Sequence, residues 1–444
     1  MTKQKHLKQV IRTRMERTGE SYVTARRHVV ADTPSIPTTT LPAHRPGLNP
    51  GTTALRILLT HAGVMSPDGT PLSEAAALLI GGGLGMGVFH FRYEEDDTST
   101  LFLAGRHLWH DEHAFVAEAC ARLGLETVVT ETTSASKSAD QLRQAIATHG
   151  PTMVWVDMTH LPYRGMPSSW SGGGYHVIVV HIVDEEAETA LVSDLADDPI
   201  ELSLRDLAVA RARIRKFKHR ILNVVPSPVA GDRIEKAIGA ALRAGTDALL
   251  EGRTKNFTLD GLDILARRMR ATHGTDNWEH VFPRGRHLWT ALKWLYDCIE
   301  HYGTGGGLCR PTAATGFREV GGWLGSGDWQ PLADRYDELG RAWSELANDA
   351  LPESVPAFAD VRRLLQIKAE RFLSDGADGA QSFEDLWARL EAMTSGTADA
   401  FPLDDRECAQ LRERLADRVD HIAALEREAV EDLRGMLSAA SESP

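Results

Sequence analysis

No run of about 18 uninterrupted apolar residues occurs in the chain, which excludes a membrane-crossing helix of ordinary length. The start, Met1-Thr2-Lys3-Gln4-Lys5-His6, leads into arginine-rich sequence without the apolar core of a secretory signal, so the expected compartment is the cytoplasm. Cysteine is scarce: Cys120, Cys298, Cys309 and Cys408 lie far apart and form no Cys-x-x-Cys pair, so reduced thiols are expected rather than a disulfide framework or a thiolate zinc site. No Lys-Ser/Thr follows the run Gly81-Gly82-Gly83-Leu84-Gly85, and no dinucleotide-type spacing leads into a helix, which excludes a P-loop or Rossmann phosphate cradle. No cofactor is expected.

What is present is globular: 444 residues, 42% hydrophobic and 25% charged, with 10 Trp and 12 Phe. That length exceeds one ordinary core of roughly 100 to 200 residues, so two domains plus an extension are expected. The net charge of −13 argues against broad nucleic-acid binding. The first thirty residues differ, because Lys3, Lys5, Lys8, Arg12, Arg14, Arg17, Arg26 and Arg27 face only Glu16 and Glu20. Their helical spacing predicts a small basic hairpin over 1–31. A linker over 32–47 follows, in which Pro34, Pro37, Pro42 and Pro46 bar a helix or a central strand.

From residue 48 to 226 the texture is α+β. Ala54, Leu55, Leu58 and Leu59 make one apolar stripe over 52–62, and Ser73 caps a second helix ending at Ile80. Alternation over 88–93 reads as a strand, 115–123 as helix, and the β-branched runs 153–156, 176–183 and 190–192 as strands of one buried sheet. Past Pro226 and Pro228 amphipathic stripes take over, and 227–444 reads as a helical domain.

The strongest chemical constellation is His176, at the head of one strand, with Asp194 just after the next. A carboxylate that orients an imidazole fixes its tautomer and lets it accept a proton from a thiol or hydroxyl. A core histidine satisfied by a carbonyl and an aspartate closing a turn explain the same two residues equally well. His107, His110 and His113 recur every three residues, as metal ligands on one helix face do and as exposed polar residues at a helix start also do; they are weak metal candidates. Cys309, beside Arg310 in a glycine-rich turn, is either a low-pKa thiol or a packed one.

Read in order, Gly51-Thr52-Thr53-Ala54-Leu55-Arg56, Leu72-Ser73-Glu74, the glycine run from Gly81, Val156-Asp157 with Leu161-Pro162-Tyr163, His176, Asp194, Leu204-Arg205-Asp206-Leu207 and Gly303-Thr304-Gly305-Gly306-Gly307-Leu308-Cys309-Arg310 resemble the butirosin-pathway acyltransferase (BtrH-like) family. The resemblance implies a papain-like (cysteine-peptidase-like) domain followed by a mostly α-helical domain. It also implies acyl transfer from a carrier-protein thioester to an amine through an acyl-cysteine. Gly82, Gly83, Tyr93, Asp157, Tyr163 and Tyr175 are the candidate substrate-binding residues. Where the family's pattern calls for His-Cys before the first core helix, this chain reads Asn49-Pro50, and proline offers neither thiol nor N–H. Three readings stay open: Thr52 or Thr53 as a relocated nucleophile, His176 and Asp194 as a general base with Asn49 nearby and no covalent step, or a pocket that binds a small-molecule or carrier-bound intermediate without catalysis. The basic arm suits an acidic carrier protein or no partner at all. The stripe from Leu411 to Leu433 suits either a bundle or a coiled-coil homodimer, and no membrane partner is expected.

Overall fold

In a computed structural model the described residues are 11–15, 17, 25, 41–93, 97–172, 174–397 and 400–442. Most of the expected basic hairpin and most of the linker lie outside them, as do the side chains of Phe91 and Tyr93; residues 11–15, 17 and 25 of the hairpin are helical.

Along the chain come α1 (Pro50–His61), α2 (Glu74–Ile80), β1 (Leu84–Tyr93), β2 (Thr98–Arg106), α3 (Glu112–Leu123), β3 (Thr127–Thr130), α4 (Ala135–His149), β4 (Thr152–Asp157), β5 (Tyr175–Asp184), β6 (Thr189–Ser193), β7 (Ile200–Ser203), α5 (Leu204–Arg213) and β8 (Ile221–Val224). Helices follow: α6 (Gly231–Glu251), α7 (Asp260–Arg270), α8 (Trp278–Val281), α9 (Arg286–Glu300), α10 (Arg310–Leu324), α11 (Trp329–Ala350), α12 (Pro356–Asp375), α13 (Ala380–Gly396) and α14 (Asp405–Glu442). The protein is mixed α/β, with a sheet in its N-terminal part and helices in its C-terminal part. No described helix is long and apolar enough to cross a membrane.

Two compact units share these elements. The first takes the chain up to Ala77, then His110–Ala237 and Ile367–Ala388; the second takes Leu78–Trp109, Ile238–Gln366 and the residues from Arg389 on.

The first unit holds a six-stranded antiparallel sheet of order β3-β8-β4-β5-β6-β7. Side chains alternate across a strand, so the two faces of β5 bury different residues. Ile178 and Val180, with Val154, Val156 and Val192, enter a core with Leu142 of α4 and Leu207 and Ala210 of α5. Val177 and Val179, with Ser193 and Leu195, face Pro50, Thr53, Ala54 and Ile57 of α1. The sheet is therefore covered on both sides, which is why β4 and most of β5 read as continuous apolar runs.

Local chemistry sets the helix ends. The Asn49 side chain accepts from the N–H groups of Gly51 and Thr52, with Pro50 preset for the first turn. Ser73 Oγ accepts from Ala76 N at 2.9 Å, as the sequence predicts.

In the second unit β1 and β2 form an antiparallel hairpin beside helices. The long α14 packs its apolar stripe on α7 and α11. Arg310 and Glu426, both fully buried, are paired at 2.7 Å, and Trp343 donates to the same carboxylate. The glycine-rich stretch before α10 is a left-handed turn: φ is positive at Gly303, Gly305, Gly306 and Gly307 and also at Leu308 and Cys309. Cys309 is buried as the cap residue of α10.

Candidate functional site

Tyr175 pairs with Asp157 and His176 with Val156 at the head of β5, and Asp194 directly follows β6. Both side chains lie on the face that carries Ile178 and Val192. His176 Nε2 stands 2.9 Å from Asp194 Oδ1, and the two side chains are 4% and 0% exposed.

The carboxylate of Asp194 accepts from five donors. Oδ1 takes His176 Nε2 and Leu195 N; Oδ2 takes the Tyr163 hydroxyl at 3.1 Å and Arg164 Nε and Nη2 at 3.2 and 2.7 Å. Arg164 and Tyr163 come from a short 3-10 turn, Pro162–Arg164, held against Phe372: the Tyr163 ring stacks on it and the Arg164 guanidinium lies 4.3 Å from its centroid. The sequence reading placed Tyr163 at the site but missed Arg164, whose only signal was its place beside Tyr163.

Burial pushes the Asp194 carboxyl up, but the Arg164 charge and the hydrogen bonds from His176 and Arg164 outweigh it and hold it below the usual range. An ionised Asp194 only accepts, so the proton between it and His176 sits on Nε2 and leaves the Nδ1 lone pair available. Arg164 Nη2 lies 2.9 Å from the same Nε2. Two donors cannot bond each other, so that contact is a charge beside an N–H. Burial lowers the His176 pKa, Asp194 raises it and Arg164 lowers it, with a net shift downward. His176 is neutral at pH 7 and able to take a proton. Burial and the Asp194 charge hold the Tyr163 phenol far above its usual pKa, so it stays a donor.

The other expected residues are placed differently. Thr52 is not set up as a nucleophile: its hydroxyl donates to Glu74 Oε1 at 2.7 Å, and Thr53 donates to the same oxygen at 3.1 Å. Glu74 also accepts from Leu48 N and Asn49 N. Asn49 caps α1, and its own side chain takes the N–H groups that an oxyanion would need. Asn49 is the cap and Thr52 lies in the first turn of α1, whose Pro50 and Thr53 line one crevice with Asp194. Asp157 accepts from Thr159 N and Oγ1 and from Gly172 N, so it closes turns. Tyr175 packs on Phe217 with ring centroids 5.3 Å apart.

Gly82 and Gly83 belong to the second unit, with φ of +112° and +70°; a Cβ on Gly82 would fall 2.4 Å from His107 Cδ2. Tyr93 ends β1, paired with Thr98, and its side chain lies outside the described residues. His107, His110 and His113 do not share a helix. Leu108 is left-handed at φ 51°, which breaks the spacing, and α3 begins only at Glu112. Among the described residues no cluster of three metal-ligating side chains occurs.

A second network, which the sequence reading also missed, lies on the α1 face. Ser193 Oγ is 2.6 Å from His44 Nδ1 and 2.7 Å from His181 Nε2, and His44 Nε2 is 3.1 Å from the Asp197 carbonyl. The carbonyl fixes the proton on His44 Nε2, so Ser193 donates to His44 and accepts from His181. Burial lowers the two pKa values to about 4 and about 3. This network fastens the segment before α1 to the end of β6. The crevice between α1 and the sheet has no room for a water molecule.

The geometry defines a mixed α/β protein with a buried Asp-His pair clamped by Arg and Tyr. Comparison with protein families makes it specific. Residues 49–195 match the model described as Butirosin biosynthesis protein H, N-terminal, and residues 205–371 match the Domain of unknown function (DUF4872). The chain belongs to this BtrH-like family, which links it to butirosin-type biosynthesis. No curated protein matches it.

Proposed function

We propose that this protein is an acyltransferase-like or cyclase-like enzyme of specialised metabolism that uses His176 as a general base without a cysteine nucleophile. The observation that carries the reading is the saturated Asp194 carboxylate, which fixes the His176 tautomer and leaves Nδ1 as acceptor. The substrate is a carrier- or peptide-bound thioester. An amine attacks its carbonyl carbon, its N–H proton passes to Nδ1, the C–N bond forms, the C–S bond breaks, and the proton leaves on the thiolate. Positioned proton transfer of this kind contributes roughly 10²- to 10⁴-fold. A cysteine-peptidase-like domain over 48–226, followed by helices over 227–444, fits the family and the helix-on-sheet layering. The expected acyl-cysteine position before α1 holds Asn49-Pro50 instead.

One observation favours a second reading, binding without catalysis: the crevice at α1 is filled and its helix N-terminus is self-capped. Incubation with a panel of acyl-carrier-protein thioesters, read by intact mass and product formation, decides between them. Product without adduct, falling about 10²-fold or more in His176→Ala, supports the base mechanism. An adduct lost in Thr52→Ala or Cys309→Ala establishes a covalent route. No product and no adduct with any thioester establishes the binding protein.

A further inference from the structure

Residues 207–231 contain six Arg or Lys and no Asp or Glu, in a chain of net charge −13 with 62 acidic residues. The segment spans the end of α5, a 3-10 turn (Arg215–Phe217) and β8. Part of this charge is spent inside the fold. Arg211 is buried and donates to the carbonyls of Ser138 and His219, while Lys218 and Arg220 pair with Glu131. Arg213, Arg215 and Lys216 remain exposed, without a carboxylate partner among the described residues. By contrast Arg270 alone gathers Glu413, Asp417 and Asp420.

These cations sit on aromatic ground. Lys216 Nζ lies 5.8 Å from the ring centroid of Tyr175 and 4.9 Å from that of Phe217. Arg213 Nε donates to Ser171 Oγ at 2.7 Å, next to the partly exposed Trp170. Tyr175 immediately precedes His176. The face therefore borders the strand head that carries the proposed base.

Arginine beside partly exposed Trp and Tyr is the composition of protein interfaces. A nucleic acid would call for roughly six to ten phosphate contacts, and an anionic membrane surface for about four to eight clustered cations, more than the three free ones here. We infer that this face is the docking surface for an acidic protein partner that delivers its tethered substrate to the His176 end of β5. The inference rests on the carrier-bound substrate proposed above.

The test is fluorescence anisotropy of a fluorescein-labelled acidic acyl carrier protein titrated with the full chain. Arg213→Glu/Arg215→Glu/Lys216→Glu should weaken binding about 30-fold or more, Arg215→Glu alone about threefold, and binding should weaken with salt. Unchanged thermal unfolding of each variant keeps the comparison fair. Unchanged affinity overturns the inference, as does loss of binding on reversing Lys3, Lys5 and Lys8 while the patch variant binds normally. Tighter binding of a labelled single-stranded RNA or of anionic vesicles, lost in the patch variant, overturns it in favour of those ligands. His176→Ala should bind the carrier normally. Docking then stands if turnover is never found, and the base chemistry stands if the native enzyme turns over carrier thioester while the patch variant leaves both affinity and KM unchanged.

Discussion

Replacing Asp194 by Asn removes one charge and changes almost no volume, which isolates the electrostatics of the site. The buried carboxylate accepts from His176, Leu195, Tyr163 and twice from Arg164. An amide keeps one acceptor oxygen and turns the other into a donor. If the NH2 takes the Oδ1 place it faces Leu195 N–H and forces His176 to the opposite tautomer; if it takes the Oδ2 place it faces the Arg164 guanidinium. Either way a buried donor loses its acceptor, at about 1–3 kcal/mol. Arg164 also loses its counter-charge, and breaking a buried pair costs about 3–5 kcal/mol. The Arg164 side chain is 14% exposed and recovers part of this in water. The expected loss is therefore about 3–4 kcal/mol in urea unfolding, together with loss of any His176-dependent turnover, because Nδ1 then carries the proton. Arg164→Met combined with Asp194→Asn should lose less than the sum of the singles, by about 1 kcal/mol or more, since the orphaned charge is gone. A stability loss under about 1 kcal/mol, or strict additivity, refutes the reading of this cluster as one coupled unit.

The Ser193 network makes a pH prediction. His44 and His181 titrate near 6.5 when unfolded and near 4 and 3 when folded, because burial disfavours their charged forms. Below pH 6.5 the unfolded chain therefore takes up protons that the folded chain refuses, and stability falls with pH, by up to about 3 kcal/mol for His44 as pH approaches 4. Nearby Arg45, Arg56 and Asp197 bear on His44, and His61 on His181, so the measurement is a comparison of urea midpoints for the native chain and His44→Gln from pH 7 to 4.5. An equal acid slope in the two proteins would reject it. Gly82→Ala should cost about 2–4 kcal/mol, from a positive φ and a Cβ 2.4 Å from His107 Cδ2. A thermal midpoint unchanged in that variant would mean that the turn before β1 yields.

The helices with clear apolar stripes were legible from periodicity, and the caps Ser73 and Asn49 act where helix-start chemistry places such residues. The three longest strands of the sheet were legible as apolar runs because helices cover both faces. The four-residue strands β3, β7 and β8 were not, since their burial comes from neighbours distant in sequence, such as Val154 pairing with Ile221. His176 and Asp194 were visible as a pair across one hairpin. Arg164 was not, because it meets them through a turn whose position depends on Phe372, some two hundred residues further on. Proximity in the first unit is thus partly built by a segment that returns late in the chain, and no local pattern announces it.

The polar groups at the start of α1 and those around His176 bear differently on the proposed cysteine-independent mechanism. In a thiol enzyme the helix N-terminus supplies the nucleophile's low pKa and the oxyanion's donors together. Here those donors are spent on Asn49, the adjacent hydroxyls on Glu74, and the residue after the cap is Pro50, which has no N–H to give. The His176–Asp194 cluster keeps what proton transfer needs: a neutral imidazole with one lone pair open, a carboxylate that stabilises its charged form, and an arginine whose charge disfavours that form. Charge-preserving Arg164→Lys offers one point charge in place of the planar fork that spans Asp194 Oδ2 and His176. If the arginine acts on His176 through geometry, this variant should lose turnover nearly as far as Arg164→Met. If net charge alone matters, it should keep turnover and the acid limb of its pH profile should stay in place.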